Sequence, residues 1–287
     1  MKYVLAVDGS DEALDATRAF EALRPAEQLV VLGVVNVPGI PYPAMGAGVA
    51  KDLSMTVSQA MNEEAGRMID RAISLLPLDA GSARKRLETG QPADVILKVA
   101  QETGADLIVL GARGLGKIRE QIFGSVSHRV MTHASCSTLI VKKPLRTIQQ
   151  LCIPIESQED ADAILAFMKK QPFREPCRVT VLHVIPFSEP VWPMGAMIPQ
   201  DFRKEMLAYA EKFTNMLCGE LQKLGHQTHG MALVGAPSST IIEEIEKMSP
   251  DVLLMRTHSR SGVSRFFLGS VSHAVVHHAD CSVILVR

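Results

Sequence analysis

The chain has almost no net charge, no paired-cysteine motif and no long apolar run, and each absence removes a class of protein. Its 30 Lys and Arg against 31 Asp and Glu leave a net charge of −1 over 287 residues. Such a balance exerts no long-range pull on nucleic acid or anionic membrane, so any anion site must be local. No apolar run reaches the ~20 residues that span a bilayer. The opening MKYVLAVDGSDEALD meets acidic residues too early for a secretory leader. The five cysteines (Cys136, Cys152, Cys177, Cys218, Cys281) are odd in number and form no CxxC. That usage suits a reducing compartment and argues against a disulfide framework. A cytoplasmic protein with no membrane span and no nucleic-acid partner is the expectation. GxSxG and HExxH are missing too, which removes the nucleophile elbow and the zinc-protease helix.

What is present is a near miss. GARGLGKI (111–118) has the glycine and lysine spacing of a P-loop but places Ile118 where that loop needs Ser or Thr for magnesium. Ile118 has no oxygen to offer, so the Walker likeness is accidental and Lys117 belongs to a connecting loop.

The chain also repeats itself. GSVSHRVMTHASCSTLIVK (124–142) returns as GSVSHAVVHHADCSVILVR (269–287), with 11 of 19 positions identical at an offset of 145. At the same offset Gly90 and Pro92 meet Gly235 and Pro237, and Asp106 meets Asp251. This period exceeds that of the common solenoid repeats, so two duplicated domains are expected, 1–145 and 146–287, joined near KKPLRTIQQ.

Within the first copy, strand-like KYVLAVD is followed by DEALDATRAFEAL, acidic in its first turn as a helix start should be. QLVVLGVVNV is the continuous β-branched run of a strand covered on both faces. A long helix ending near Leu76, strand ARKRLE, helix ADVILKVAQETG, strand DLIVL, helix SVSHRVMTHA and strand STLIVK complete the copy. The second copy repeats that order. Strands alternating with helices predict an α/β fold of two tandem Rossmann-like domains, each a five-stranded mainly parallel sheet with helices on both faces. Ligands of such sheets bind beyond the carboxyl ends of the strands, where the winding reverses.

GARG directly follows the fourth strand, and Gly124-Ser125 opens the next helix, giving Gly111-x2-Gly114-x9-Gly124-Ser125. Gly111 and Gly114 can take positive φ and have no Cβ, so their backbone can approach a phosphate chain. Gly124, Ser125 and Val126 present amides at a helix N-terminus, where the dipole favours an anion. The Ser125 and Ser127 hydroxyls can add hydrogen bonds.

These residues resemble the ATP-binding members of the universal stress protein family in its tandem form, and the resemblance covers essentially the whole chain. It implies an ATP site at Gly111, Gly114, Gly124 and Ser125, with Val126 and Ser127 completing the phosphate contacts. It further implies Asp8 on the adenine side, Val34 lining the adenine pocket, and Mg2+ as a companion of the phosphates. Single-domain members commonly dimerise through their last strands, here STLIVK and SVILVR. The resemblance therefore implies a pseudo-dimer within the chain, a homodimer as a further form, and a protein partner it does not name.

The second copy departs from the pattern. Arg256 and Ser259 replace Gly111 and Gly114, Gly269-Ser270 remain, and Glu156 stands for Asp8. Either this half has lost nucleotide binding and kept the fold, or Arg256, His258, Arg260 and Arg265 serve a different anion. His273 and His277 lie i,i+4 on one helix, a metal-compatible spacing that ordinary helix histidines share. Cys136 and Cys281, before the two last strands, read as small buried hydrophobes, with redox sensing as the alternative. PYPAMGAG (41–48) and VWPMGAMIP (191–199) recur after the second strands as a lid, a docking surface or plain connections. Two function classes follow: a nucleotide-binding stress or signalling protein, or a slow ATPase or nucleotidyl transferase.

Overall fold

A computed structural model describes residues 1–36, 47–112, 124–186, 200–257 and 269–287, with side chains of 47–54 and 200–203 left aside. It divides into two compact units, Met1–Glu21 with Pro25–Pro144, and Leu145–Arg287 with Ala22–Arg24.

In the first unit β1 (Lys2–Val7), α1 (Asp11–Arg18), β2 (Gln28–Val35), α2 (Ala47–Leu75) and β3 (Ala83–Thr89) alternate. They are followed by α3 (Pro92–Thr103), β4 (Leu107–Gly111), α4 (Ser125–His133) and β5 (Ser137–Val141). The strands lie in the order β3-β2-β1-β4-β5, and every pair among them is parallel. The α/β class and the parallel pairing expected from the alternation are what is found. α1 packs on β4 and α2 on β2, while α3 and α4 pack on each other, so helices cover both faces. Buried β-branched and leucine side chains of β1, β2, β4 and β5 form the core, and Tyr3 meets Phe20 edge-on at 5.5 Å. α1 is shorter than its apolar pattern suggests. It stops at Arg18 and a 3-10 turn over Ala19–Glu21 takes over.

The second unit repeats the plan with β6 (Gln150–Pro154), α5 (Gln158–Lys169), β7 (Arg178–Pro186), α6 (Gln200–Lys223) and β8 (Gln227–Gly235). α7 (Pro237–Met248), β9 (Val252–Arg256), α8 (Ser270–His278) and β10 (Ser282–Val286) complete it. Its order is β8-β7-β6-β9-β10, again with parallel pairs. The repeated aspartate has one task in both units. Asp106 Oδ2 accepts from the Lys2 amide at 2.8 Å, and Asp251 Oδ2 accepts from Gln149 and Gln150 at 2.7 and 2.9 Å. Each thereby satisfies the amides that open the central strand, β1 or β6.

Candidate functional site in the first unit

The winding of the first unit reverses between β1 and β4, so the crevice beyond their carboxyl ends is where a ligand of this fold is expected. At the end of β1 the chain turns through Asp8, Gly9 and Ser10. Asp8 Oδ1 accepts from the Ser10 amide at 3.0 Å and from its hydroxyl at 2.5 Å. Ser10 Oγ in turn accepts from the Ala13 amide at 3.2 Å, capping α1. Gly9 is required by its φ of +82°; a Cβ there would also stand 2.8 Å from Met68 Sδ, a contact that the flexible side chain can relieve. The turn leaves Asp8 exposed at the sheet edge. Val34 is half-buried and pairs with Glu88 of β3, one residue past the point where β1 ends its pairing with Gly33. Asp8 and Val34 thus both sit at the carboxyl edge.

Across the crevice, β4 is joined to α4 by a clamp. The Ala112 amide donates to Val141 O at 2.9 Å, and the Gly124 amide donates to Ala112 O at 2.9 Å. Ser127 Oγ adds a 2.6 Å bond to the same carbonyl and a 3.0 Å bond to Gly124 O. The first bond within the helix runs from the His128 amide to Gly124 O, and Gly124 supplies no side-chain cap. The amides of Ser125, Val126 and Ser127 are therefore the orphan donors of the helix, set at its positive end. Ser125 is exposed beside them. Such an end can receive an oxyanion with no rearrangement.

Two expectations are corrected here. Gly111 lies outside the left-handed φ region, and its bare Cα faces α1. A Cβ there would come within 2.7 Å of the Glu12 backbone carbon, so the glycine serves the close approach of helix to strand. Ser127 is only 3% exposed and its hydroxyl is spent on the clamp, so its contribution to an anion is confined to its amide. Gly114 and Lys117 lie outside the described residues, as do 41–46 and 191–199 of the proposed lids.

The second unit fills the same positions differently. Arg256 also lies outside the left-handed φ region, so it carries no backbone strain of that kind. Its guanidinium reaches the first turn of α5, with Nη1 3.1 Å from Glu159 Oε2 and 3.6 Å from Asp160 Oδ1. Asp160 is buried and its other oxygen accepts from the Glu156 and Ser157 amides at 2.9 and 3.2 Å, closing a capping box. Arg256 is thus held by carboxylates of its own unit, which weakens the reading that it serves an outside anion. His258, Ser259, Arg260 and Arg265 lie outside the described residues. The arginine that leans on this capping box was not legible in the sequence, because Arg256 and Asp160 are far apart along the chain.

Among the cysteines, burial pushes the Cys152 thiol up. Burial and the nearby Asp251 push Cys177 up to about 12. Cys177 Sγ lies 3.4 Å from His226 Nδ1, whose pKa burial lowers, so both groups are held neutral. No thiolate–imidazolium pair arises there. His273 and His277 do meet on α8, with ring centroids 4.3 Å apart.

Fold and edge geometry define a doubly wound α/β protein with an anion-receptive helix start at the switch point of its first unit. A sequence profile of the universal stress protein family matches residues 1–142 and 147–287, and the chain belongs to that family. Over 303 aligned residues it is 23% identical to the universal stress protein Rv2005c of Mycobacterium tuberculosis, covering 99% of this chain and 96% of that one. The universal stress protein YxiE of Bacillus subtilis is 30% identical over 151 residues, 49% of this chain and 98% of its own length. The crystal structure of a universal stress protein from Archaeoglobus fulgidus matches with a TM-score of 0.63 at 18% identity, over 99% of this chain and 97% of that one. That likeness shows a shared fold.

Proposed function

We propose that the first unit binds ATP and that occupancy sets the conformation or partner choice of a stress-response or signalling protein. The observation that supports this most is the start of α4, where three amides without helical partners are held beside the end of β4 by the Ala112–Gly124–Ser127 clamp. The β- and γ-phosphates would lie on the Ser125, Val126 and Ser127 amides, with the Ser125 hydroxyl as a further donor. Gly114 would let the preceding loop close over them. Asp8 and Val34 would bound the adenine and ribose side. Mg2+, where the phosphates carry it, would be held chiefly by phosphate oxygens and water, which is its usual preference. Unbridged cysteines suit a cytoplasmic setting for such a protein. No helix among the described residues is long and apolar enough to cross a membrane.

The second unit is proposed not to bind ATP, because it carries Arg256 and Ser259 where the first unit has Gly111 and Gly114. Titration calorimetry with ATP tests both statements. One site per chain is expected, and Gly114→Leu should weaken it at least a hundredfold while circular dichroism stays unchanged. Unaltered affinity in that variant would remove the reading, and two equivalent sites would remove its asymmetry. A phosphate-release assay on the same samples separates a binding protein from a slow ATPase.

A further inference from the structure

The second unit carries a cavity of about 360 Å³ at the opposite edge of its sheet, where β6, β7 and β8 begin. Its floor follows from the strand register. Gln150, Arg178 and Gln227 stand abreast on the three strands, and two residues on, Cys152, Thr180 and His229 stand abreast in the same way. Side chains alternate along a strand, so these two rows share one face. The row between them faces the other way, since Thr228 Oγ1 donates to Cys218 O of α6. The end of α7 and the residues after it, Met248 and Pro250, wall the cavity with apolar surface.

The first unit is different at the same places. The strand pairings put Lys2, Gln28, Val4 and Val30 where the second unit has Gln150, Arg178, Cys152 and Thr180. Val4 and Val30 are buried core there. The second unit has thus exchanged the buried Val30 for a half-buried hydroxyl, and Gln28 for an exposed guanidinium. Arg178 is braced and not neutralised. In the amide orientation that satisfies its neighbours, Gln150 accepts from Arg178 Nη2 at 2.9 Å and donates to Met248 O at 3.1 Å. No carboxylate pairs with Arg178 among the described residues. The nearby acids are engaged elsewhere, Asp251 with the Gln149 and Gln150 amides and Glu244 with Lys247 at 2.7 Å.

We propose that this cavity binds a small organic carboxylate, with Arg178 and Thr180 holding the carboxylate and Met248 packing on its apolar body. A cationic fork in a recess of this volume, with a hydroxyl beside it and one apolar wall, matches that chemistry. The site is separate from the nucleotide edge of either unit and does not depend on ATP binding.

Amide NMR of the full chain titrated with sodium benzoate tests it, with benzyl alcohol and sodium sulfate as controls. Benzoate should give saturable shifts centred on Thr180 and His229, with neither control reproducing them. Arg178→Gln, which installs the residue the first unit carries there, should weaken binding about tenfold. Thr180→Val, copying Val30, should weaken it less, and both variants should keep the wild-type spectrum elsewhere. No saturable shift with benzoate, equal binding by benzyl alcohol or sulfate, or unchanged affinity in Arg178→Gln would each overturn the assignment.

Discussion

The two units share a fold and differ at the carboxyl edge, and the difference shows how one scaffold can end its fourth strand on a glycine or on a paired arginine. In the first, Gly111 lets α1 lie against β4, and Ala112 O gathers the Gly124 amide and the Ser127 hydroxyl. In the second, Arg256 takes the glycine's place and is answered by Glu159 and Asp160. Thr257 takes the place of Ala112, and its buried hydroxyl has no hydrogen-bond partner among the described residues. Its amide bond to Val286 O is stretched to 3.4 Å, against 2.9 Å for Ala112 to Val141. Among the described residues, Ser272 Oγ bonds within its own helix start, to Gly269 O at 3.0 Å. The turn before the helix changes too. The carboxylate that receives its amides is Asp8 in the first unit and Asp160 in the second. A glycine lost from a strand end has been accommodated by pairing its arginine replacement with acids of the facing helix.

The comparison can be broken most severely at Gly111. Gly111→Val should destabilise the first unit by about 3 kcal/mol, because the new Cβ meets backbone that cannot step aside. Hydrogen exchange resolved by unit is the measurement, and protection of the second unit should be unchanged. A loss below that of an ordinary surface substitution would show that α1 can recede from β4.

The clamp comes next. Ser127→Ala should cost about 1–2 kcal/mol by leaving Ala112 O short of a buried donor, and should weaken ATP severalfold by loosening the start of α4. Ser272→Ala, which removes only a bond local to its helix, should cost less. Thermal melts and calorimetry of the two variants make the contrast, and equal losses would erase it.

A smaller gain is expected at a helix end. α3 ends on Gly104 at φ 59°, whereas α7 ends on Ser249 at φ 45°. Ser249→Gly should stabilise the second unit by about 0.5–1 kcal/mol, since left-handed backbone is costly for a residue with a Cβ. Urea denaturation should register it as a higher midpoint with an unchanged slope.

The smallest effect is pH dependence confined to the second unit. Burial lowers the folded-state pKa of His226 below its ordinary 6.5, and the first unit has Gly81 at that place. Between the two pKa values the unfolded chain binds the extra proton, so stability rises with pH across that window. The contribution is present in full above about 6.5 and fades as acid is added below it. Because His226 is partly exposed, solvent screening keeps it small. Melts of wild type and His226→Gln from pH 5 to 8 should converge on acidification.

The order of elements was legible because each run carried its own period. β1, β2 and β4 announced themselves as continuous apolar runs, and α3 and α7 as amphipathic stretches opened by Pro92 and Pro237. The duplication was legible because Gly124-Ser125 and Gly269-Ser270 open matching helices. The end of α1 was not, since Ala19–Glu21 continues the helical pattern while the backbone tightens to a 3-10 turn. The reason for Gly111 was misread as well. Spacing along the chain marks a glycine but is silent on which neighbour needs the room.

By itself the sequence determined the α/β class, the tandem repeat and the residues that open α4. These follow from local periodicity and from chain order, which need no knowledge of distant contacts. Only the tertiary structure decided that Gly111 makes room for α1, that Ser127 spends its hydroxyl on Ala112, and that Arg256 is answered by Glu159 and Asp160. Arg178 and Thr180 likewise become one surface only once three strands are in register. Each joins or aligns groups on different elements, and which groups meet is set by packing rather than by any pattern along the chain.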